Sequence, residues 1–190
     1  MKIYFGTSPK VKKRFPRRID KIYNLISKLG YRHTSNWIKE VDPDKFYKLS
    51  TKEINEHHRQ TINEVRQADI CVFEISLHSL SVGYLIKYAL DLNKPVIALS
   101  QALTSPAVFR EIKSDRLFFV VYKNGDLGKK LEKILKKASE QLDVRFNFFI
   151  TPPLLAYLDW IANRKRIPRS VYLRSLIESD MKKNEEYYRD

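Results

Sequence analysis

The sequence lacks several features that mark whole classes of protein. Its 190 residues contain one cysteine, Cys71, which excludes a disulfide framework and is typical of a reducing compartment, so we expect a cytoplasmic protein. No apolar run approaches the roughly 20 residues of a membrane span, and the apolar N-terminal segment is too short for a secretory signal. The adjacent His57 and His58 point in different directions on a predicted helix and lack ligand spacing, so we predict no metal site and no cofactor.

Acidic residues are scarce relative to basic ones. The chain has 22 Asp and Glu against 36 Lys and Arg, a formal net charge of +14, and a field of this size favours polyanionic or phosphorylated partners. The excess is uneven, because the segment from Gln141 onward holds nine basic and seven acidic residues. An early basic cluster is either a lip that attracts phosphate or DNA or a solvated loop: Lys10, Lys12, Lys13, Arg14, Arg17 and Arg18.

The apolar pattern of the first three-quarters of the chain predicts alternating strands and helices. Residues 70–73 form a short unbroken apolar run, as in strands buried on both faces of a parallel sheet. A polar loop at 74–76 and a helix that contains Gly83 follow this run. Further strands are predicted at 2–5, 95–99 and 117–122, and residues 31–37 are predicted to hold the second strand followed by a variable loop. We therefore expect an α/β fold, a three-layer Rossmann-like sandwich around a five-stranded parallel sheet.

Residues 69–89, DICVFEISLHSLSVGYLIKYA, resemble the core motif of the nucleoside deoxyribosyltransferase family, and most closely its deoxynucleoside monophosphate N-glycosidase branch. The first strand and loop, IYFGTS at residues 3–8, extend the match. The resemblance implies a nucleotide pocket outside the carboxyl ends of the strands, with a phosphate near the N-terminus of the following helix. It implies these ligand-binding residues: Gly6, Thr7, Ser8, Glu74, Ser76, Ser79, Ser81 and Gly83.

The resemblance also predicts the loss of two catalytic groups. Cleavage of an N-glycosidic bond passes through an oxocarbenium-like state that carboxylates attack or stabilise. In the family one carboxylate follows the Gly-Tyr pair, where this chain has Leu85, and another lies eight residues before the strand-opening Asp, where it has Thr61. The sequence therefore favours a pocket that binds a ligand without catalysis, and Glu74 is the catalytic candidate if the domain is active. A vestigial pocket is a further alternative.

The pattern changes after Gln141. A strand is predicted first, with three apolar residues on one face: Phe146, Phe148 and Ile150. Thr151 and two prolines then begin an amphipathic helix, and a second helix opens at Pro168. About 40 residues of this kind cannot bury their apolar faces alone. Residues 144–181 resemble the ribbon-helix-helix family of DNA-binding domains, which implies a homodimer whose shared ribbon enters the major groove of double-stranded DNA.

The same resemblance assigns DNA contacts to positions of this chain. Arg145 and Asn147 match base-reading positions, since Arg pairs with guanine and Asn with adenine. Phe149 stands where the family has a polar residue, which places the third base contact in doubt. Arg169 and Ser170 at the start of the second helix would meet a phosphate. The alternative is a module that only dimerises the protein.

We therefore divide the chain into a deoxyribosyltransferase-like domain at 1–140, a ribbon-helix-helix domain at 144–182 and a polar tail at 183–190. The predicted function is that of a dimeric, transcription-regulator-like DNA-binding protein. Its first domain would be a pseudoenzyme that serves as an assembly platform or senses a nucleotide or another phosphorylated molecule. The alternative is an active N-glycosidase or deoxyribosyltransferase that acts on nucleosides or nucleotides. No membrane association is expected.

Overall fold

A computed structural model describes residues 1–102, 112, 114–123, 125–142 and 148–184. The chain divides into two compact units, Met1–Asp143 and Val144–Asp190. Among the described residues, no helix combines the length and the apolar character that crossing a bilayer requires.

The first unit is built on five parallel strands in the order β2-β1-β3-β4-β5. Their bounds are Lys2–Gly6 for β1, Arg32–His33 for β2, Ile70–Glu74 for β3, Val96–Ser100 for β4 and Leu117–Val121 for β5. Every residue of β3 and β4 is buried, as expected for unbroken apolar runs covered on both faces. Gly6 pairs with Phe73, and Glu74 pairs with Leu99. The carboxyl ends of three neighbouring strands therefore meet at one edge.

Helices cover both faces of the sheet. They are α1 (Pro9–Arg14), α2 (Pro16–Lys28), α3 (Trp37–Glu40), α4 (Pro43–Phe46), α5 (Thr51–Gln67), α6 (Leu80–Asp91) and α7 (Leu127–Ser139). One core cluster joins Ile22 of α2 and Leu131 of α7 to the sheet, and a second joins Val65 of α5 and Ile86 of α6 to its other face. Burying each such side chain contributes roughly 1.5–3 kcal/mol. The predicted three-layer α/β fold with a five-stranded parallel sheet is confirmed.

The start of α5 is fixed by a capping box. Ser50 Oγ accepts the Glu53 N–H at 3.3 Å, and Glu53 Oε2 accepts the Ser50 N–H at 2.8 Å, which satisfies two backbone donors that the first helical turn leaves open. The buried residues of α5 are Thr61 and Val65. The cap therefore fixes where α5 begins.

The free thiol lies in the middle of the central strand. Cys71 of β3 is fully buried. Burial raises the pKa of this thiol to about 12, so it stays protonated and packs as a small apolar side chain.

The described part of the second unit, residues 148–184, contains two helices, α8 (Pro152–Lys165) and α9 (Arg169–Met181). Its core cluster consists of Leu158, Ile161 and Tyr172, and α8 ends at Arg166 in the left-handed region with φ 53°. Residues 148–150 are not in a strand, although the predicted strand includes them. Residues 144–147 of that predicted strand lie outside the described residues.

Candidate functional site

A cavity of about 350 Å³ opens beyond the carboxyl ends of β1 and β3, on the α5–α6 side of the sheet. Its walls come from the turn between β1 and α1, from α3 to α5, and from the start of α6. The volume falls in the range of small-molecule sites. The position is the one that open parallel sheets use for ligands.

The start of α6 supplies a polar end of the cavity. Ser79 is the N-cap residue, whose Oγ accepts the Val82 N–H at 3.4 Å, and the first turn carries no acidic residue. Ser81 of that turn lines the cavity, as do Ser8 and Lys10 from the β1–α1 segment. Amide groups at a helix N-terminus, hydroxyls and a cation together suit a phosphate group.

Aromatic rings and a histidine form another wall. The Trp37 and His57 rings stack with centroids 4.3 Å apart, and Phe46 meets His57 edge-on at 5.5 Å. Burial lowers the pKa of His57, and the neighbouring His58 lowers it further, so the imidazole is neutral at pH 7. Flat faces of this kind can stack on a nucleobase.

Two buried side chains of the cavity occupy the family's carboxylate positions. Thr61 and Leu85 are 5% and 8% exposed, and both line the cavity. Thr61 Oγ1 lies 3.5 Å from His57 Nε2. The structure thus brings together the two positions at which the resemblance expects acids, although neither residue is one. No Asp or Glu of the described chain lines this cavity.

A tyrosine and a glycine are fitted to each other at the end of β1. Tyr4 lines the cavity and is 5% exposed. Burial raises the pKa of Tyr4, and the nearby Glu64 raises it further, so the hydroxyl stays protonated. A Cβ on Gly6 would lie 2.7 Å from Tyr4 Cε1. Gly6 therefore leaves room for the ring and does not itself line the cavity.

Glu74 faces the opposite side of the sheet from the cavity. It is the last residue of β3, and its side chain lies on the same face of the strand as those of Ile70 and Val72. Both of these residues belong to the α2–α7 core cluster. Only its main-chain carbonyl reaches a cavity residue, since it accepts the Thr7 hydroxyl at 2.7 Å. The side chain that the sequence nominates for catalysis therefore does not line this cavity.

The Glu74 carboxylate is enclosed by matched partners. It is fully buried, Oε1 accepts the Tyr122 hydroxyl at 3.0 Å, and the Ser76 hydroxyl also donates to it. Arg18 Nη1 lies 3.6 Å from Oε1. Burial, and then Glu74, raise the pKa of Tyr122, which keeps this hydroxyl a donor. The arrangement is that of a structural buried charge.

The predicted ligand-binding residues separate into two sets. Thr7, Ser8, Ser79 and Ser81 line the cavity, whereas four others do not: Gly6, Glu74, Ser76 and Gly83. The Ser76 hydroxyl accepts the Gln101 N–H at 2.9 Å, so it joins the ends of β3 and β4.

The residues predicted to contact DNA belong to the second unit, and three of the five lie in its described part. Phe149 is fully exposed, and Arg145 and Asn147 lie outside the described residues. Arg169 forms an ion pair with Asp159 of α8, which joins the two helices of the second unit. Ser170 is exposed in the first turn of α9.

Sequence reasoning missed the wall formed by Trp37, Phe46 and His57. It weighed His57 only as a metal ligand; among the described residues no group of three His, Cys, Asp or Glu could hold a metal ion. The sequence did contain a signal for placing His57 at the site. His57 precedes Thr61 by four residues on α5, and residues so spaced share a helix face.

The first unit has an α/β fold similar to that of a solved N-glycosidase, and its sequence is similar to that of a curated N-hydrolase. The chain is 28% identical over 141 residues to the "Putative 2′-deoxynucleoside 5′-phosphate N-hydrolase 1" of Thermofilum pendens, a match that covers 70% of this chain and 92% of that relative. The structure of Clostridium botulinum CMP N-glycosidase matches with a TM-score of 0.51 and 12% identity, covering 72% of this chain and 99% of that chain.

A 2-deoxyribosyltransferase from Bacillus psychrosaccharolyticus has a TM-score of 0.49 at 19% identity, with 67% of this chain and 90% of that chain covered. No protein-family model matches the chain.

The Thermofilum pendens relative overturns the predicted function. A DNA-binding transcription regulator with a pseudoenzyme domain is the wrong main interpretation, because this relative is named as an N-hydrolase and its match covers 70% of the chain. The match supports the alternative, an enzyme of that type. The prediction gave too much weight to Leu85 and Thr61 and to the C-terminal pattern. The ribbon-helix-helix resemblance and the homodimer stay predictions.

Proposed function

We propose that the first unit is an N-glycosidase that binds a nucleoside 5′-phosphate in the cavity and cleaves the bond between sugar and base. The observation that carries the proposal is the convergence of Thr61 of α5 and Leu85 of α6 on one cavity, because the resemblance places catalysis at these two positions. The Thermofilum pendens relative is named for hydrolysis of such a substrate, and the match spans 92% of its length.

The phosphate would bind at the start of α6. The helix N-terminus carries a partial positive charge and open N–H groups. Ser79 and Ser81 add hydroxyls beside it, and Lys10 adds a full positive charge. With no acid in the first turn of α6, no fixed negative charge of that turn opposes a dianionic phosphate.

The base would lie against the aromatic wall. Trp37, Phe46 and Tyr47 line the cavity and offer apolar ring faces. Stacking on such faces is worth roughly 1–3 kcal/mol per base. The sugar would then lie between the wall and the start of α6, close to Thr61 and Leu85, so its C1′ atom would be near the positions linked to catalysis.

The test uses the full chain with CMP, dCMP and dAMP. We expect calorimetry to show tighter binding of each 5′-phosphate than of its nucleoside, and chromatography to show release of free base. Lys10→Ala should weaken binding of the 5′-phosphates several-fold, because Lys10 is exposed and an exposed ion pair is worth up to about 1 kcal/mol. Lys129→Ala is the control: it removes an exposed lysine of α7, and so changes the net charge by the same amount as Lys10→Ala but away from the cavity.

Equal affinity for nucleoside and 5′-phosphate would refute the assigned phosphate position. Binding without release of base would refute the cleavage and leave the binding site standing. An equal loss of affinity in Lys10→Ala and Lys129→Ala would show that the general positive field of the protein, rather than this site, attracts the phosphate.

A further inference from the structure

Hydrolysis of an N-glycosidic bond requires a nucleophile, and the described residues around the cavity do not include the usual carboxylate. No Asp or Glu of the described chain lines the cavity, and Cys71 is buried within the sheet. The titratable side chains that line the cavity are instead Lys10, two tyrosines and three histidines. The nucleophile must then be a water molecule, which needs a base to orient it and accept a proton.

His57 is the histidine best placed for this task. His58 and His78 are exposed, whereas His57 is half-buried. Its ring is stacked on Trp37 with centroids 4.3 Å apart and is held at its edge by Phe46. A ring fixed by two aromatic neighbours holds its nitrogen atoms in constant positions, which is what positioning of a reactant requires.

The hydroxyl of Thr61 marks where the water would bind. Thr61 Oγ1 lies 3.5 Å from His57 Nε2, which is wide for a direct hydrogen bond but allows both groups to hold one water molecule. Thr61 occupies a position that the resemblance assigns to a catalytic acid, so a water bound there is close to the expected reaction centre.

We propose that His57 is the catalytic base of this cavity and that Thr61 is a positioning residue, an inference that rests on the proposed function. The water oxygen forms a bond to C1′ while the bond from C1′ to the base nitrogen breaks, and that electron pair leaves with the base. The water proton passes to His57 Nε2. The departing base takes a proton from solvent, and His57 returns its own to solvent.

This route differs from family chemistry in its products. A carboxylate nucleophile forms a covalent glycosyl-enzyme that a second base can intercept, which is the basis of transfer. Leu85 stands at the nucleophile position and cannot form this intermediate. Sugar phosphate is therefore released directly, and exchange of one nucleobase for another does not occur.

The experiment compares His57→Ala with His33→Ala. His33 is a suitable control because it is also half-buried, stacks on Tyr23 at 3.6 Å and has a pKa lowered by burial, yet it does not line the cavity. We expect His57→Ala to slow base release at saturating nucleotide at least 100-fold, and added imidazole to restore part of the rate. His33→Ala should release base at the wild-type rate. A radiolabelled second nucleobase should not enter the nucleotide.

Each contrary result is distinct. Base release at an unchanged rate in His57→Ala, or a lost rate that imidazole does not restore, overturns the role of His57 while the N-glycosidase function stands. Entry of the labelled base into the nucleotide shows a glycosyl-enzyme and overturns direct hydrolysis. A wild-type chain that binds nucleotide but releases no base overturns both the catalytic base and the proposed cleavage.

Discussion

The polar side chains on the two faces of the sheet have different environments. On the face toward α2 and α7, Glu74 is fully buried and matched by Tyr122 and Arg18. On the face toward α5 and α6, the described cavity wall holds hydroxyls and imidazoles but no acid. The one acid that follows the family pattern in β3 therefore stabilises the fold, and the positions linked to chemistry carry Thr61 and Leu85.

The difference shows that a ligand site can keep its place while its side chains change. A buried carboxylate must be paired or it destabilises the folded state, so Glu74 is constrained by its neighbours. The cavity side chains line a space that solvent or a ligand can enter, so the pairing requirement on Glu74 does not apply to them. Variants on the two faces can therefore test stability and activity separately.

The largest expected effect is from Glu74→Ala. It leaves the Arg18 guanidinium largely buried without its anion, which should lower the free energy of unfolding by about 3–5 kcal/mol. Denaturant unfolding measures this loss. Asp44→Ala is the control, because it removes an exposed ion pair with Lys13, and exposed pairs contribute so little that the free energy of unfolding should stay nearly unchanged. Base release by the folded Glu74→Ala fraction should persist; its complete loss would place Glu74 in catalysis after all.

A smaller effect is expected from Gly6→Ala. The new Cβ would lie 2.7 Å from the Tyr4 ring, so the buried ring must move, at a cost of about 1–3 kcal/mol. Thermal unfolding measures the cost. Gly83→Ala is a control of opposite sign, because no atom apart from its chain neighbours and the backbone of its own helix lies within 4 Å of its added Cβ, and alanine favours the interior of α6 by about 0.5–1 kcal/mol. Equal stability of the two variants would contradict the close fit of Gly6 and Tyr4.

The smallest expected effect is on the pH dependence of stability. Burial lowers the pKa of both His33 and His57 in the folded state. Below about pH 6.5 the unfolded chain binds protons at these residues before the folded chain does, so their stabilising contribution is lost as pH falls through the folded pKa values. We expect the double variant with His33→Gln and His57→Gln to lose less stability between pH 7 and 5 than wild type. Parallel pH profiles would show that neither histidine is linked to folding.

The sequence predicted the fold because its signals are local. The unbroken apolar run of β3 and the capping box at Ser50 each act within a few residues. The predicted position of the Glu74 side chain was wrong because the end of β3 was predicted one residue too early. The strand was predicted to end at residue 73 with a loop after it, but β3 includes Glu74, and alternation then turns its side chain to the far face.

The cavity wall was harder to predict because it depends on distant contacts. His57 is held by Trp37 and Phe46, which precede it by 20 and 11 residues and belong to separate short helices. The boundary within residues 31–37 was not predicted either: this range was expected to hold a strand and a variable loop, and the structure has β2 at Arg32–His33 and begins α3 at Trp37. Packing between elements, rather than propensity within one, decides both features.

The single thiol is a natural probe of how often the sheet opens. Because Cys71 is enclosed in β3, between β1 and β4, an alkylating reagent can reach its sulfur only when the centre of the sheet separates. The speed of thiol labelling under native conditions therefore measures how often that separation occurs, without any engineered probe.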